Sequence, residues 1–159
     1  MNIKSLVPWL ACRTRKQPAT TVVFHATAGR SASGAISWLR KIGLSYHYII
    51  EYDGTVTKCV PYSKVAFHAG VSKGPNGSNV NNYSIGIAFV NIDDGKEAIT
   101  DKQLASAKAL LAELFGSVAG LKYITRHLDI APNRKVDPRT LSKAMMQKIA
   151  PKGALIWPS

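Results

Sequence analysis

The sequence predicts a single α/β domain, a central mixed β-sheet flanked by helices, and three features carry that expectation. β-branched and apolar runs of strand length recur along the chain, bounded by turn residues. Between them lie stretches with apolar residues at helical spacing. The length, 159 residues of which 46% are hydrophobic, suits one domain with a sizeable buried core.

Thr20–His25 (TTVVFH) is β-branched and apolar, the composition of a buried strand. Ser33–Ile42 can form a short helix with Ile36, Trp38 and Leu39 near one face, and Gly43 would end it. Ser45–Tyr52 and Thr55–Val60 read as two strands of a hairpin, joined through the Asp53-Gly54 turn signal. Val65–Asn82 is rich in Gly, Ser and Asn and is expected to be a long surface loop. Ser84–Val90 returns to strand character. Thr100–Phe115 is the clearest helix: Thr100 and Gln103 form a capping box, and Leu104, Ala107, Leu111 and Leu114 follow at helical spacing. Lys122–Thr125 reads as a strand, Arg126–Arg139 as a polar connection, and Thr140–Ile149 as a closing helix. Residues 1–19 are expected to pack as an arm on the domain, and residues 139–159 as a helix and tail.

Composition narrows the function. Lys and Arg number 21 against 9 Asp and Glu, a formal net charge of +12. Much of the excess lies in residues 1–16 and 134–152. Such a balance implies an anionic neighbour such as nucleic acid or a bacterial envelope. No nucleic-acid motif accompanies it, so contact with an anionic envelope is the expectation. No apolar run approaches the roughly 20 residues of a membrane span. Two cysteines, Cys12 and Cys59, are too few for a disulfide framework or a thiolate zinc cluster. Ser5–Cys12 is apolar but short and broken by Pro8, so no signal peptide is expected.

The chain has four histidines. His25 and His127 each follow a strand, where ligands gather in α/β sheets. Asp137 lies ten residues after His127. Two imidazoles and one carboxylate, with a fourth position open, make up the ligand count of a catalytic zinc. From spacing alone the signal is weak, because a lone histidine at a strand end is more often a structural residue.

Five segments carry a resemblance. They are Val22–Thr27 (VVFHAT), Ser45–Ile50 (SYHYII) with Asp53-Gly54, Ala66–Gly70 (AFHAG), Asn82–Ile87 (NYSIGI), and Arg126–Pro132 (RHLDIAP) running on to Arg134–Pro138 (RKVDP). In this order they resemble the zinc-dependent N-acetylmuramoyl-L-alanine amidases of the amidase-2 and peptidoglycan-recognition-protein superfamily. The resemblance covers about residues 20–138. It implies one Zn2+ on His25, His127 and Asp137. It implies hydrolysis, through a zinc-bound water, of the amide between N-acetylmuramic acid and L-alanine. It places Lys135 beside the metal, where an ammonium stabilises the tetrahedral oxyanion. The cytoplasmic bacterial branch carries a Glu where this chain has Ala88, whereas the phage-lysozyme branch uses a Tyr where this chain has Tyr46. Tyr46 is therefore assigned to position the water and assist proton transfer. His68 is expected to contact substrate, with Asn82 and Ser84 assisting. Arg134 is assigned to a stem-peptide carboxylate. His47, adjacent to Tyr46, faces the opposite side and is read as structural.

The expected function is thus that of an endolysin, a monomer acting on peptidoglycan. It would be made in a host cytoplasm and would reach the wall through a separately encoded pore. The alternatives are a non-catalytic peptidoglycan-binding module and a cytoplasmic amidase that recycles muropeptides. A glycosidase would need two carboxylates across a sugar, and no glutamate lies in a motif.

Overall fold

A computed structural model describes all 159 residues, Met1–Ser159. The strands are β1 (Ile3–Ser5), β2 (Cys12–Thr14), β3 (Thr21–Ala26), β4 (Tyr48–Ile50), β5 (Val56–Lys58), β6 (Lys64–Ala66), β7 (Lys73–Gly74), β8 (Gly77–Ser78), β9 (Ser84–Phe89), β10 (Tyr123–Arg126) and β11 (Leu155–Ile156). The helices are α1 (Ala32–Ile42), α2 (Asp101–Ser117), the single turn α3 (His127–Ile130) and α4 (Lys143–Ile149). A seven-stranded sheet runs β1-β5-β4-β9-β3-β10-β11. Only the β4–β5 pair in it is antiparallel; every other neighbouring pair is parallel.

Strand alternation sorts the core into two layers. On β3 and β9, Val22, Phe24, Ile85, Ile87 and Phe89 face α2 and α4, where they meet Leu110, Leu111, Leu114 and Met146. Phe24 and Phe89 stack with ring centroids 5.4 Å apart. The other parity belongs to Val23 and His25 on β3, and to Ser84, Gly86 and Ala88 on β9. Register pairs His25 with Ala88 and Val23 with Gly86. Small residues on this face of β9 leave room for imidazoles.

Local chemistry sets the helix ends. Ser31 caps α1 by accepting from Gly34 N, and Gly43, at φ 71°, closes it in the left-handed region. Both bonds of the Thr100–Gln103 capping box form. The Gln103 side chain also donates to the Ile50 and Val90 carbonyls, 3.1 and 2.8 Å away, and so ties α2 to the sheet.

The structure corrects four expectations. Val65–Asn82 is not an open loop: β6 pairs with β2, β7 with β8, and Val65, Ala66, His68, Ala69 and Val80 are buried. The amino-terminal arm supplies two strands, with β1 on the sheet edge. The last helix begins at Lys143, with Ser142 as its cap, rather than at Thr140. Trp38 leaves the α1 core face and is 58% exposed, while Leu39 is buried.

Candidate metal centre and cleft

His25 lies near the end of β3, and His127 follows directly on β10, which runs parallel beside it. Neighbouring parallel strands thus deliver two imidazoles to one end of the sheet. The Asp137 carbonyl accepts from Leu128 N at 2.9 Å, which draws the carboxylate-bearing segment alongside α3. Arg126 steadies that turn with a two-nitrogen contact to Asp129 (2.7 and 3.1 Å) and a bond to the Leu141 carbonyl.

The three donor groups converge. His25 Nδ1 is 3.1 Å from His127 Nδ1 and 3.5 Å from Asp137 Oδ2, and His127 Nδ1 is 3.1 Å from Asp137 Oδ1. His127 Nε2 faces the Ala69 carbonyl at 3.1 Å. A carbonyl can only accept, so the proton of neutral His127 sits on Nε2 and its Nδ1 lone pair faces inward. His25 Nε2 is likewise engaged, 2.9 Å from His68 Nδ1. With a proton on that nitrogen, two lone pairs and a carboxylate meet, a set that calls for a cation. A proton is a poor occupant. Burial, and next the charge of His127, push His25 down to about 4, despite the opposing pull of Asp137. Burial alone would raise the Asp137 carboxyl, yet its contacts with His127 and His25 hold it well below the usual carboxylate range. Ligands about 2.0–2.2 Å from a tetrahedral zinc lie roughly 3.3–3.6 Å from one another. One observed separation, 3.5 Å, lies in that range and two, at 3.1 Å, fall just short of it, so outward shifts of a few tenths of an ångström would seat the ion.

A cleft of about 380 Å³ opens over this group. Tyr46, Arg134 and Lys135 line it, with Leu44, Phe67 and Val136 as apolar walls. The Tyr46 ring lies 4.9 Å from that of His25, tilted by 50°. Burial, with the charges of Asp137 and Asp93 adding to it, raises the Tyr46 phenol above its ordinary value, so at neutral pH it is a hydroxyl rather than a phenolate. The positive charge of Lys135 reaches His25. Arg134 Nη2 donates to the Ala69 and Val71 carbonyls at 2.7 and 2.9 Å, which pins the cleft rim.

Not every expected residue reaches the cleft as a free contact. Ser84 is fully buried, and its hydroxyl meets His68 Nε2 at 3.0 Å. Asn82 bonds to Arg13 through its side chain and to Arg15 through its carbonyl, away from the cleft lining. His68 reaches the lining but is 7% exposed, with both ring nitrogens used by His25 and Ser84. In this structure His68 and Ser84 are bonded to each other, and Asn82 to two arginines. His68 follows β6 in a connecting segment that packs over Gly86 of β9, which accounts for its burial beside Ser84. His47 is fully buried, accepting from Gly86 N at 2.9 Å and donating to the Lys64 carbonyl at 2.8 Å.

The sequence assigns no role to two further cleft residues: Thr27 ends a motif segment, and Asp93 lies outside every one. Thr27 lines the cleft with a buried hydroxyl that has no partner. Asp93, also in the lining, accepts from Arg139 N at 2.7 Å and so reaches the segment just past Asp137.

The family profile described as N-acetylmuramoyl-L-alanine amidase (amidase-2) matches residues 15–140. The chain belongs to this family. The 1,6-anhydro-N-acetylmuramyl-L-alanine amidase AmpD of Escherichia coli (strain K12) is 35% identical over 124 residues. That stretch is 76% of this chain and 66% of AmpD, just under two thirds of the relative's length. The crystal structure of a selenomethionine AmpD derivative superposes with a TM-score of 0.78 at 24% identity, covering 94% of each chain. The N-acetylmuramoyl-L-alanine amidase LysC from Clostridium intestinale URNW gives a TM-score of 0.76 at 22% identity, covering 94% of this chain and 97% of that one. These superpositions establish the amidase fold for the whole domain.

Proposed function

We propose that this member of the amidase family hydrolyses the amide between the lactyl group of N-acetylmuramic acid and L-alanine of peptidoglycan, with one zinc ion held by His25, His127 and Asp137. The observation that carries this is the convergence of three acceptor groups on the floor of a cleft lined by Lys135 and Tyr46. Zinc held by these residues would supply Lewis-acid chemistry, lowering the pKa of a water toward about 7 and polarising the scissile carbonyl. The side chains divide the remaining work. The Lys135 ammonium faces the charge that develops on the carbonyl oxygen. The Tyr46 hydroxyl, kept protonated by burial, takes up the proton that the attacking water loses and passes its own to the leaving alanine nitrogen. Arg134 at the rim offers charge to a stem-peptide carboxylate. The unpartnered Thr27 hydroxyl offers a bond to a substrate amide.

Two substrates suit this site. Tyr46 together with Ala88 favours cross-linked wall, the endolysin reading, in which a separately encoded pore gives access from the host cytoplasm. The net charge of +12 supports adsorption to an anionic envelope. The 35% identity to AmpD favours soluble anhydro-muropeptides, the recycling reading. Parallel assays on purified sacculi and on anhydro-muropeptides, scored by new alanine amino termini, decide between them. The endolysin reading requires release from sacculi at a kcat/KM at least comparable to that on the soluble substrate. Release from anhydro-muropeptides alone overturns it.

A further inference from the structure

A run of polar groups continues behind the cleft, away from the substrate. His25 Nε2 meets His68 Nδ1 at 2.9 Å, and His68 Nε2 meets Ser84 Oγ at 3.0 Å. All three residues are buried, at 0%, 7% and 0% exposure. The His68 ring stands at 88° to that of His25, with centroids 4.9 Å apart, so it abuts the outer edge of His25. Beneath it lies Gly86. A Cβ there would fall 2.7–2.8 Å from His68 Cγ, Cδ2 and Nδ1, closer than any real contact. Gly86 has no positive φ, so backbone conformation does not require a glycine. The ring of His68 does.

We infer that His68 is a positioning residue: braced by Ser84 and seated on Gly86, it holds the His25 imidazole so that Nδ1 points at His127 and Asp137. Hydrogen-bond direction gives the logic. For His25 to offer a lone pair at Nδ1, its proton must sit on Nε2 and be accepted there. His68 Nδ1 accepts it, His68 therefore carries its own proton on Nε2, and the Ser84 hydroxyl accepts that one. His127 has the corresponding support from the Ala69 carbonyl. Each imidazole of the centre is thus aimed by a partner on its outer nitrogen, and losing such a partner typically weakens metal binding about 10- to 100-fold. This role explains a buried serine and a glycine on one face of β9.

The inference rests on the zinc reading, so the test separates the two. Zinc dissociation constants are measured by chelator competition for the wild type, His68→Leu, His68→Asn and Ser84→Ala. The apo proteins are unfolded in urea alongside. Asn places an oxygen where Nδ1 was; Leu fills similar space without an acceptor. The expected result is a dissociation constant about 10- to 100-fold weaker for His68→Leu and substantially restored in His68→Asn. Ser84→Ala should lie between, with no matching order among the unfolding midpoints. The Co(II)-loaded His68→Leu protein should also show a shifted visible spectrum. Wild-type zinc affinity within twofold in His68→Leu, or affinity that merely follows stability across the set, overturns the inference. Failure of the wild type itself to bind zinc instead removes the reading beneath it.

Discussion

Asp93 is the residue whose removal should reach the metal centre from farthest outside any motif. Its Oδ1 accepts from Arg139 N at 2.7 Å, and Arg139 lies two residues beyond Asp137. Its backbone sits at φ 56°, in the left-handed region, and its side chain is 8% exposed. Replacement by Ala removes a buried charge-assisted hydrogen bond, about 1.5–3 kcal/mol. It also puts an ordinary side chain where φ is positive, about 1–2 kcal/mol more. The second contact, Arg139 Nε to Oδ2 at 3.7 Å, involves a half-exposed arginine and adds about 1 kcal/mol at most. Asp93→Ala should therefore cost about 2.5–6 kcal/mol. Asp93→Asn, which keeps an acceptor and tolerates the backbone, should cost about 1 kcal/mol. Asp93→Gly relieves the backbone but loses the bond and should fall between. Urea unfolding with excess chelator measures this without metal linkage, and zinc titration should show several-fold weaker binding in the Ala variant as the Asp137 segment loosens. A loss below 0.5 kcal/mol in Asp93→Ala, or equal losses in the Ala and Asn variants, would refute the reasoning.

Three further outcomes are expected. Lys135→Ala should lower kcat about 100- to 1000-fold with zinc content unchanged, as steady-state kinetics with metal analysis would show. Tyr46→Phe should lower turnover about 100-fold, within the range for loss of a proton-transfer group, again with zinc retained; unchanged turnover removes Tyr46 from the mechanism. Stability should fall with acid through His47. Burial pushes its folded value down to about 3, against about 6.5 for the unfolded chain. Between those values the unfolded state binds the extra proton, so stability is full above about pH 6.5 and declines below it, by up to about 1.4 kcal/mol per pH unit. Unfolding curves from pH 7.5 to 4.5 should show that slope reduced by one proton in His47→Gln.

How much of this was legible in the sequence depended on the range of the interaction. Signals a few residues long are legible: the β-branched, apolar composition of Thr20–His25, the Thr100–Gln103 cap, Gly43 at the end of α1. The convergence of His25, His127 and Asp137 came with the family resemblance, because strand adjacency is not written in local spacing. The edge strands β1 and β11 escaped because two or three residues pairing with a distant strand leave no periodic trace. Arg15 makes the same point. Its guanidinium serves the carbonyls of Tyr62, Asn82, Lys64 and Ser84, holding the arm to β6 and β9, yet in sequence it is one more basic residue. The Gly- and Asn-rich stretch around His68 reads as an open loop, yet the ring is buried. What buries it is the row Ser84, Gly86, Ala88, whose small size makes a seat visible only once β9 and residues 64–69 are brought together.

The central claim is that three side chains make a metal-dependent amidase of this domain, and digestion of purified peptidoglycan tests it most directly. The protein is treated with chelator, then reloaded with zinc, and new amino termini and reducing sugars are counted at each stage. Free alanine amino termini that vanish with chelator and return with zinc, without new reducing ends, are the predicted result. Measurable wall binding with bound zinc and no new ends of either kind would contradict it and leave a recognition module in its place.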